Sequence, residues 1–183
     1  MPAVCVYLSS SDGLPAHAAA IRELAAELVR RELTLVYGGA HRGLMGVLAD
    51  AVLAAGGRAI GVIPRVLVDL EVAHRGLTEL HVVETMHERK RGMFDRADAF
   101  IVGPGGFGTL EEAFEQLTSV QLGYHAKPIV FLDPDGFWQP LAGFLDHAVR
   151  AGVLRAEVRR LFRTAATPGG ALDALAALAT AAS

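Results

Sequence analysis

Lysine and cysteine are nearly missing from this chain, and each shortage excludes something. Of the 17 basic residues only Lys90 and Lys127 are lysines, so a mechanism that needs a Schiff-base lysine has two candidates. Cys5 is the single cysteine. It falls in the first apolar run, which rules out an intrachain disulfide framework and agrees with a reducing compartment. A strong charge bias is missing too. The formal net charge is −3, so no global field draws the protein to nucleic acid or to an anionic membrane. No apolar run is long enough to span a bilayer, and no basic segment with an apolar core and a cleavage site opens the sequence. No linker, low-complexity stretch or repeat interrupts it. The expectation is a cytoplasmic protein whose residues 1–183 form one domain, with a hydrophobic content of 52% supplying a sizeable core.

Strand-like apolar runs alternate with helical patterns along the chain. Ala3–Leu8, Leu33–Tyr37, Ala59–Ile63, Leu80–Val83, Phe100–Val102 and Ile129–Leu132 read as strands. Ala16–Arg31, Leu44–Ala55, Thr85–Ala97, Thr109–Leu122, Phe137–Ala151 and Ala171–Ala182 read as helices, and Leu161–Thr164 as a short edge strand. Such alternation predicts an α/β fold, a doubly wound parallel sheet flanked by helices. Ligands of these sheets bind beyond the carboxyl ends of the strands. Arg65–Thr78 is the least regular segment and is expected to be a lid or loop over the site.

Two glycine-rich turns follow strand ends. Gly38-Gly39-Ala40-His41-Arg42-Gly43-Leu44-Met45-Gly46 is neither GxGxxG nor a Walker A motif, which needs a Lys-Ser/Thr after its last glycine. It reads equally as a nucleotide-binding turn or as a tight connection whose glycines permit close packing. Pro104-Gly105-Gly106-Phe107-Gly108-Thr109-Leu110-Glu111-Glu112 is more specific. Its glycines free the backbone for positive φ and close approach, and the helix that follows offers N–H groups and a positive dipole end to an anion. Glu112 is then the odd component, because it repels a phosphate beside it. One reading makes Thr109 and Glu112 a capping box. On a helical wheel Leu110, Ala113, Phe114, Leu117 and Gln121 share a face, with Glu112 opposite and Glu111 and Thr118 on a flank, so Glu112 looks into solvent or a cleft. The glycine cradle beside it favours the cleft.

A second capping box, Thr85 with Glu88, opens Met86-His87-Glu88-Arg89-Lys90-Arg91 and sets three basic residues in early helical turns, against the macrodipole. Met86, Met93 and Ala97 mark an inward stripe, with Lys90 on it and Arg89 at its edge. Inward cations need an anionic partner or a path to water. A structural ion pair satisfies that need; an anionic ligand at the strand ends explains the placement better. His87, His41 and His125 have no second His or Cys at ligand spacing, so no metal is expected. Trp138 reads as packing a helix start.

Taken in order, these motifs resemble the LOG family, the cytokinin-activating phosphoribohydrolases often labelled lysine decarboxylases. Gly38-Gly39, Gly43-Leu44-Met45-Gly46, Met86 to Lys90, Pro104 to Glu112, Gln121-Leu122-Gly123 and Lys127-Pro128 carry the resemblance, from about Val4 to Gly136. It implies a Rossmann-like homodimer without a cofactor that hydrolyses the N-glycosidic bond of N6-modified AMP. By motif it implies Arg89 and Glu112 as the catalytic pair. It implies nucleotide contacts at Glu71, Lys90, Gly105, Gly106, Phe107, Gly108, Thr109, Leu110, Glu111, Thr118, Gly39 and Ser9. Ser9 stands where the family usually has glycine. Hydrolysis of this bond develops positive charge on the ribose, so the glycine turn is expected to hold the 5′-phosphate while Glu112 faces the sugar. A non-catalytic nucleotide carrier is the alternative. A pyridoxal-phosphate decarboxylase built on Lys90 or Lys127 is a more distant one, because neither lysine has a recognisable cofactor setting.

Overall fold

In a computed structural model that describes residues 2–70 and 72–181, seven parallel strands form one sheet. They are β1 (Ala3–Tyr7), β2 (Thr34–Tyr37), β3 (Ala59–Pro64), β4 (Glu79–Val83), β5 (Ala99–Val102), β6 (Ile129–Leu132) and β7 (Thr164–Ala165). The helices between them are α1 (Pro15–Arg30), α2 (Gly43–Ala54), α3 (Arg65–Asp69), α4 (Met86–Arg96), α5 (Phe107–Gln121), α6 (Gln139–Arg150), α7 (Ala156–Arg159) and α8 (Pro168–Ala181). Every residue of β1, β2, β5 and β6 is buried, which is why these strands read as unbroken apolar runs. Helices cover both faces. Leu24 and Leu28 of α1, Leu48 and Val52 of α2, and Leu172 and Leu175 of α8 pack on one side. Met93 of α4, Ala113 and Leu117 of α5, and Leu145 of α6 pack on the other.

The strand order is β4-β3-β2-β1-β5-β6-β7. The chain winds outward from β1 to one edge and returns to begin again at β5, so the topological switch point lies between β1 and β5. Loops leaving these neighbours diverge, and a crevice opens at their carboxyl ends. Two bonds fix the register there: Gly103 N–H donates to the Tyr7 carbonyl at 2.8 Å and Ser9 N–H to the Pro104 carbonyl at 3.1 Å.

Three expectations shift. The irregular segment contains α3, and its continuation bonds back onto the turn after β2, with an isolated Ala40–Ala73 bridge, His41 N–H on the Val72 carbonyl and His74 N–H on the Gly39 carbonyl. The last edge strand is Thr164–Ala165, preceded by α7. α6 starts at Gln139 rather than Phe137, because the buried Asp133 carboxylate takes the Trp138 N–H and the Gln139 amide and holds the residues before them in a turn. Trp138 packs edge-on to Phe131 and Phe137, as expected of a helix-start anchor.

Candidate active site

Half of the capping box of α4 forms, since Glu88 reaches past the N-cap Thr85 to the N–H of the residue before it. Thr85 Oγ1 accepts the Glu88 N–H at 3.1 Å, and Glu88 Oε2 accepts the Glu84 N–H at 2.8 Å. This start delivers Arg89 into the interior one turn later. Arg89 is only 8% exposed, and its guanidinium donates to the Val62 carbonyl (3.2 Å), the Gly38 carbonyl (3.3 Å) and Glu112 Oε1 (3.2 Å). Gly38 is a condition for this seat, since a Cβ there would lie 1.8 Å from the Arg89 Nη2. The inward side of α4 is thus set by Arg89 and Met93, while Met86 is 48% exposed at the cleft.

The second glycine-rich turn differs from its reading in two respects. α5 begins at Phe107 with Gly106 as N-cap, so Thr109 is already the third helical residue and the Thr109–Glu112 capping box does not form. None of Gly105, Gly106 and Gly108 uses a positive φ. Their smallness serves approach instead. A Cβ on Gly105 would sit 2.1 Å from the Thr109 Oγ1, whereas Gly106 and Gly108 face open space. No side chain caps α5, which leaves the amides of its first turn and the positive dipole end available to an anion. Glu112, in the next turn, points inward and is 8% exposed. Burial pushes its carboxyl up to about 7, against the pull of the Arg89 guanidinium, with Glu111 adding to the rise. A carboxyl so poised exchanges protons near neutral pH.

These groups share one cleft of ≈ 530 Å³, within the range of small-molecule sites. Ser9, Arg89, Gly106, Phe107, Gly108, Thr109, Glu111 and Glu112 line it, together with Ser10, Ser11, Gly38 and Arg42. Its apolar part comes from Met45, Leu67, Val72 and Met86.

A family model described as "Possible lysine decarboxylase" matches residues 45–175. The LOG protein of Oryza sativa subsp. japonica, a cytokinin riboside 5′-monophosphate phosphoribohydrolase, is 46% identical over 165 residues, which cover 90% of this chain and 68% of that protein. LOG5 of Arabidopsis thaliana, with the same enzyme name, is 45% identical over 163 residues, 88% of this chain and 72% of that one. The chain belongs to the LOG family. The molybdenum cofactor carrier protein of Chlamydomonas reinhardtii has the same fold, with a TM-score of 0.73 over 98% of both chains at 20% identity.

Lys90, Leu110 and Thr118, which the LOG resemblance also marked, lie apart from the cleft. Lys90 is held by Glu111 and Glu115 in the seam between α4 and α5, and that pairing keeps its amine charged, the reverse of what a Schiff-base nucleophile requires. Lys127 donates to the Phe94 carbonyl at 2.7 Å and rests over the Phe94 ring. Leu110 packs on the core, and Thr118 is exposed over a groove toward α6 and α7. Glu71 lies outside the described residues. Gly39 is not among the residues that line the cleft; it takes a positive φ of 74°, and a Cβ there would crowd Ile63 and Leu80.

The first glycine-rich turn resolves toward packing. The α2 amides that would hold a phosphate are used within the protein, Leu44 N–H by the Ser11 carbonyl and Met45 N–H by the Ser9 carbonyl, both at 3.2 Å. A Cβ on Gly43 would lie 2.3 Å from the Ser10 backbone, and one on Gly46 would lie 2.0 Å from the His41 carbonyl oxygen. Ser9, the departure from the LOG pattern, turns its own loop, since its Oγ accepts the Ser11 N–H at 2.9 Å. Sequence reasoning passed over Arg42 as a cleft residue. It also passed over His17, whose position three residues into α1 is the one a capping Glu or Gln normally holds.

Proposed function

We propose that this protein is a phosphoribohydrolase that cleaves the N-glycosidic bond of adenosine 5′-monophosphate carrying an N6 substituent, releasing the adenine-type base and ribose 5-phosphate. The observation that carries the reading is Glu112, buried against Arg89 in the same cleft as the uncapped start of α5. A binder of phosphate alone gains nothing from a carboxyl beside its anion site, but a glycosidase needs one. The 5′-phosphate sits on the first-turn amides of α5, where the dipole and N–H groups favour it. Glu112 as carboxylate then faces the ribose, stabilises its oxocarbenium-like charge and takes a proton from the attacking water. The C1′–N bond breaks, the water oxygen bonds to C1′, and the departing base takes up a proton. Arg89 uses three of its five N–H groups on Val62, Gly38 and Glu112. The remainder orient the nucleotide and hydrogen-bond the leaving base, and the guanidinium stays charged throughout.

The protein is read as a cytoplasmic homodimer. Among the described residues no helix is long and apolar enough to cross a membrane. The exposed Leu122, Tyr124 and Phe144 supply apolar surface for a second copy, and sedimentation reads the assembly state. Incubation with AMP and with isopentenyl-AMP, followed by chromatography, tests the reaction. Free base and ribose 5-phosphate are expected from the wild type, and from Glu112→Gln only at a rate about 10²–10⁴-fold lower. Binding of both nucleotides without release of base overturns the enzyme reading in favour of a nucleotide carrier.

A further inference from the structure

His17 takes no part in this chemistry, yet it is buried with both ring nitrogens engaged. The Leu14 N–H donates to its Nδ1 at 3.2 Å, and its Nε2 lies 3.1 Å from Asp135 Oδ2. A backbone N–H only donates, so Nδ1 accepts, and the Nε2 proton goes to the carboxylate. The ring stands edge-on to Phe137, 5.3 Å between centroids. Gly13 makes room for it, with a φ of 65° and a Cβ position only 2.8 Å from Nδ1. The imidazole thus ties the end of the β1–α1 loop to the β6–α6 loop, 118 residues away in sequence.

The front of that β1–α1 loop is the serine wall of the cleft. Ser9 bonds Pro104 in the glycine turn, and the Ser9 and Ser11 carbonyls hold the start of α2. Residues 9–14 have no regular structure of their own, so their position rests on these few bonds and on the His17 pin behind them.

We propose that His17 is a positioning residue for the nucleotide: its Nδ1 acceptor and its link to Asp135 fix the Ser9–Leu14 loop in the shape that closes the cleft at the switch point. The inference rests on the proposed phosphoribohydrolase activity only for its kinetic readout. Hydrogen exchange of the loop amides reads it without substrate, so failure of the proposed activity and failure of this inference are distinguishable. His17→Ala is expected to speed exchange across residues 9–14 and to raise the nucleotide KM about tenfold, the worth of one or two lost hydrogen bonds, with kcat nearly unchanged. His17→Asn places an amide oxygen where Nδ1 stood and is expected to restore slow exchange and low KM. His17→Gln reaches Asp135 without that acceptor and is expected to behave as the alanine variant. Wild-type exchange and KM in His17→Ala overturn the proposal, as does an asparagine variant no better than alanine. Should His17→Ala not fold, Asp135→Ala releases the other end of the pin. Faster loop exchange there supports the proposal, and unchanged exchange overturns it.

Discussion

Glu112 and Arg89 form a buried pair in which the guanidinium acts on the state of the carboxyl. Burial alone drives the carboxyl toward neutrality and the guanidinium limits the rise, leaving it near 7. Because the reaction uses the carboxylate, kcat/KM is expected to fall as pH drops below about 7, and a pH–rate profile checks this. Glu112→Gln is expected to keep nucleotide binding while lowering kcat by about 10²–10⁴-fold, the usual worth of a positioned acid–base group; steady-state kinetics with base release as the readout decide it. Gly38→Ala tests the seat of Arg89. Its methyl group would occupy the guanidinium's place, so it is expected to cost about 10²-fold in activity through misplacement. Overpacking is expected to remove a further 1–3 kcal/mol or so of stability. A Gly38→Ala protein with wild-type turnover would show that Arg89 need not sit where it does.

At the scale of the element, α5 is the part whose start matters. Its first turn is left without a side-chain cap, a local cost that a bound anion offsets. Gly108 has open space where a Cβ would go and no positive φ, so the folded protein does not require a glycine there. Gly108→Ala is therefore expected to leave unliganded stability unchanged or raise it by up to about 1 kcal/mol, while raising KM as the methyl group meets the nucleotide. Thermal melts with and without AMP, read beside KM, separate the two effects. An alanine variant with wild-type KM would move the anion away from this turn. The start of α2 behaves differently although its sequence looks similar. Its amides already serve Ser9 and Ser11, so its glycines answer to backbone packing rather than to a ligand.

For the whole molecule, the site brings a stability that depends on pH. With its folded pKa raised from 4.5 to about 7, Glu112 binds more proton in the folded than in the unfolded state across that interval. Its contribution to stability is most favourable below pH 4.5 and is lost as pH rises through 7, a change on the order of 3 kcal/mol. Urea titrations at pH 5 and pH 8 are expected to show Glu112→Gln gaining on the wild type by about that amount at the higher pH; equal differences at both would remove the buried acid from the account. The strand and helix order was legible because period and turn chemistry are local: β1, β2, β5 and β6 are apolar runs because both faces of the sheet are covered, and Thr85 with Glu88 caps α4 as its spacing says. The glycine turn that feeds α5 was legible for the same reason. Illegible were the buried partner of Glu112 and the absence of its cap, because the helix start moved to Gly106 and the carboxyl turned toward a guanidinium 23 residues away. The seat of that guanidinium is completed by a carbonyl 51 residues before it, and the His17 pin spans 118 residues. Local sequence settles which elements form and where they stop. Which side chains become buried together is settled by the strand order that sets β5 beside β1, since the free energy of a buried pair depends on partners no local pattern contains.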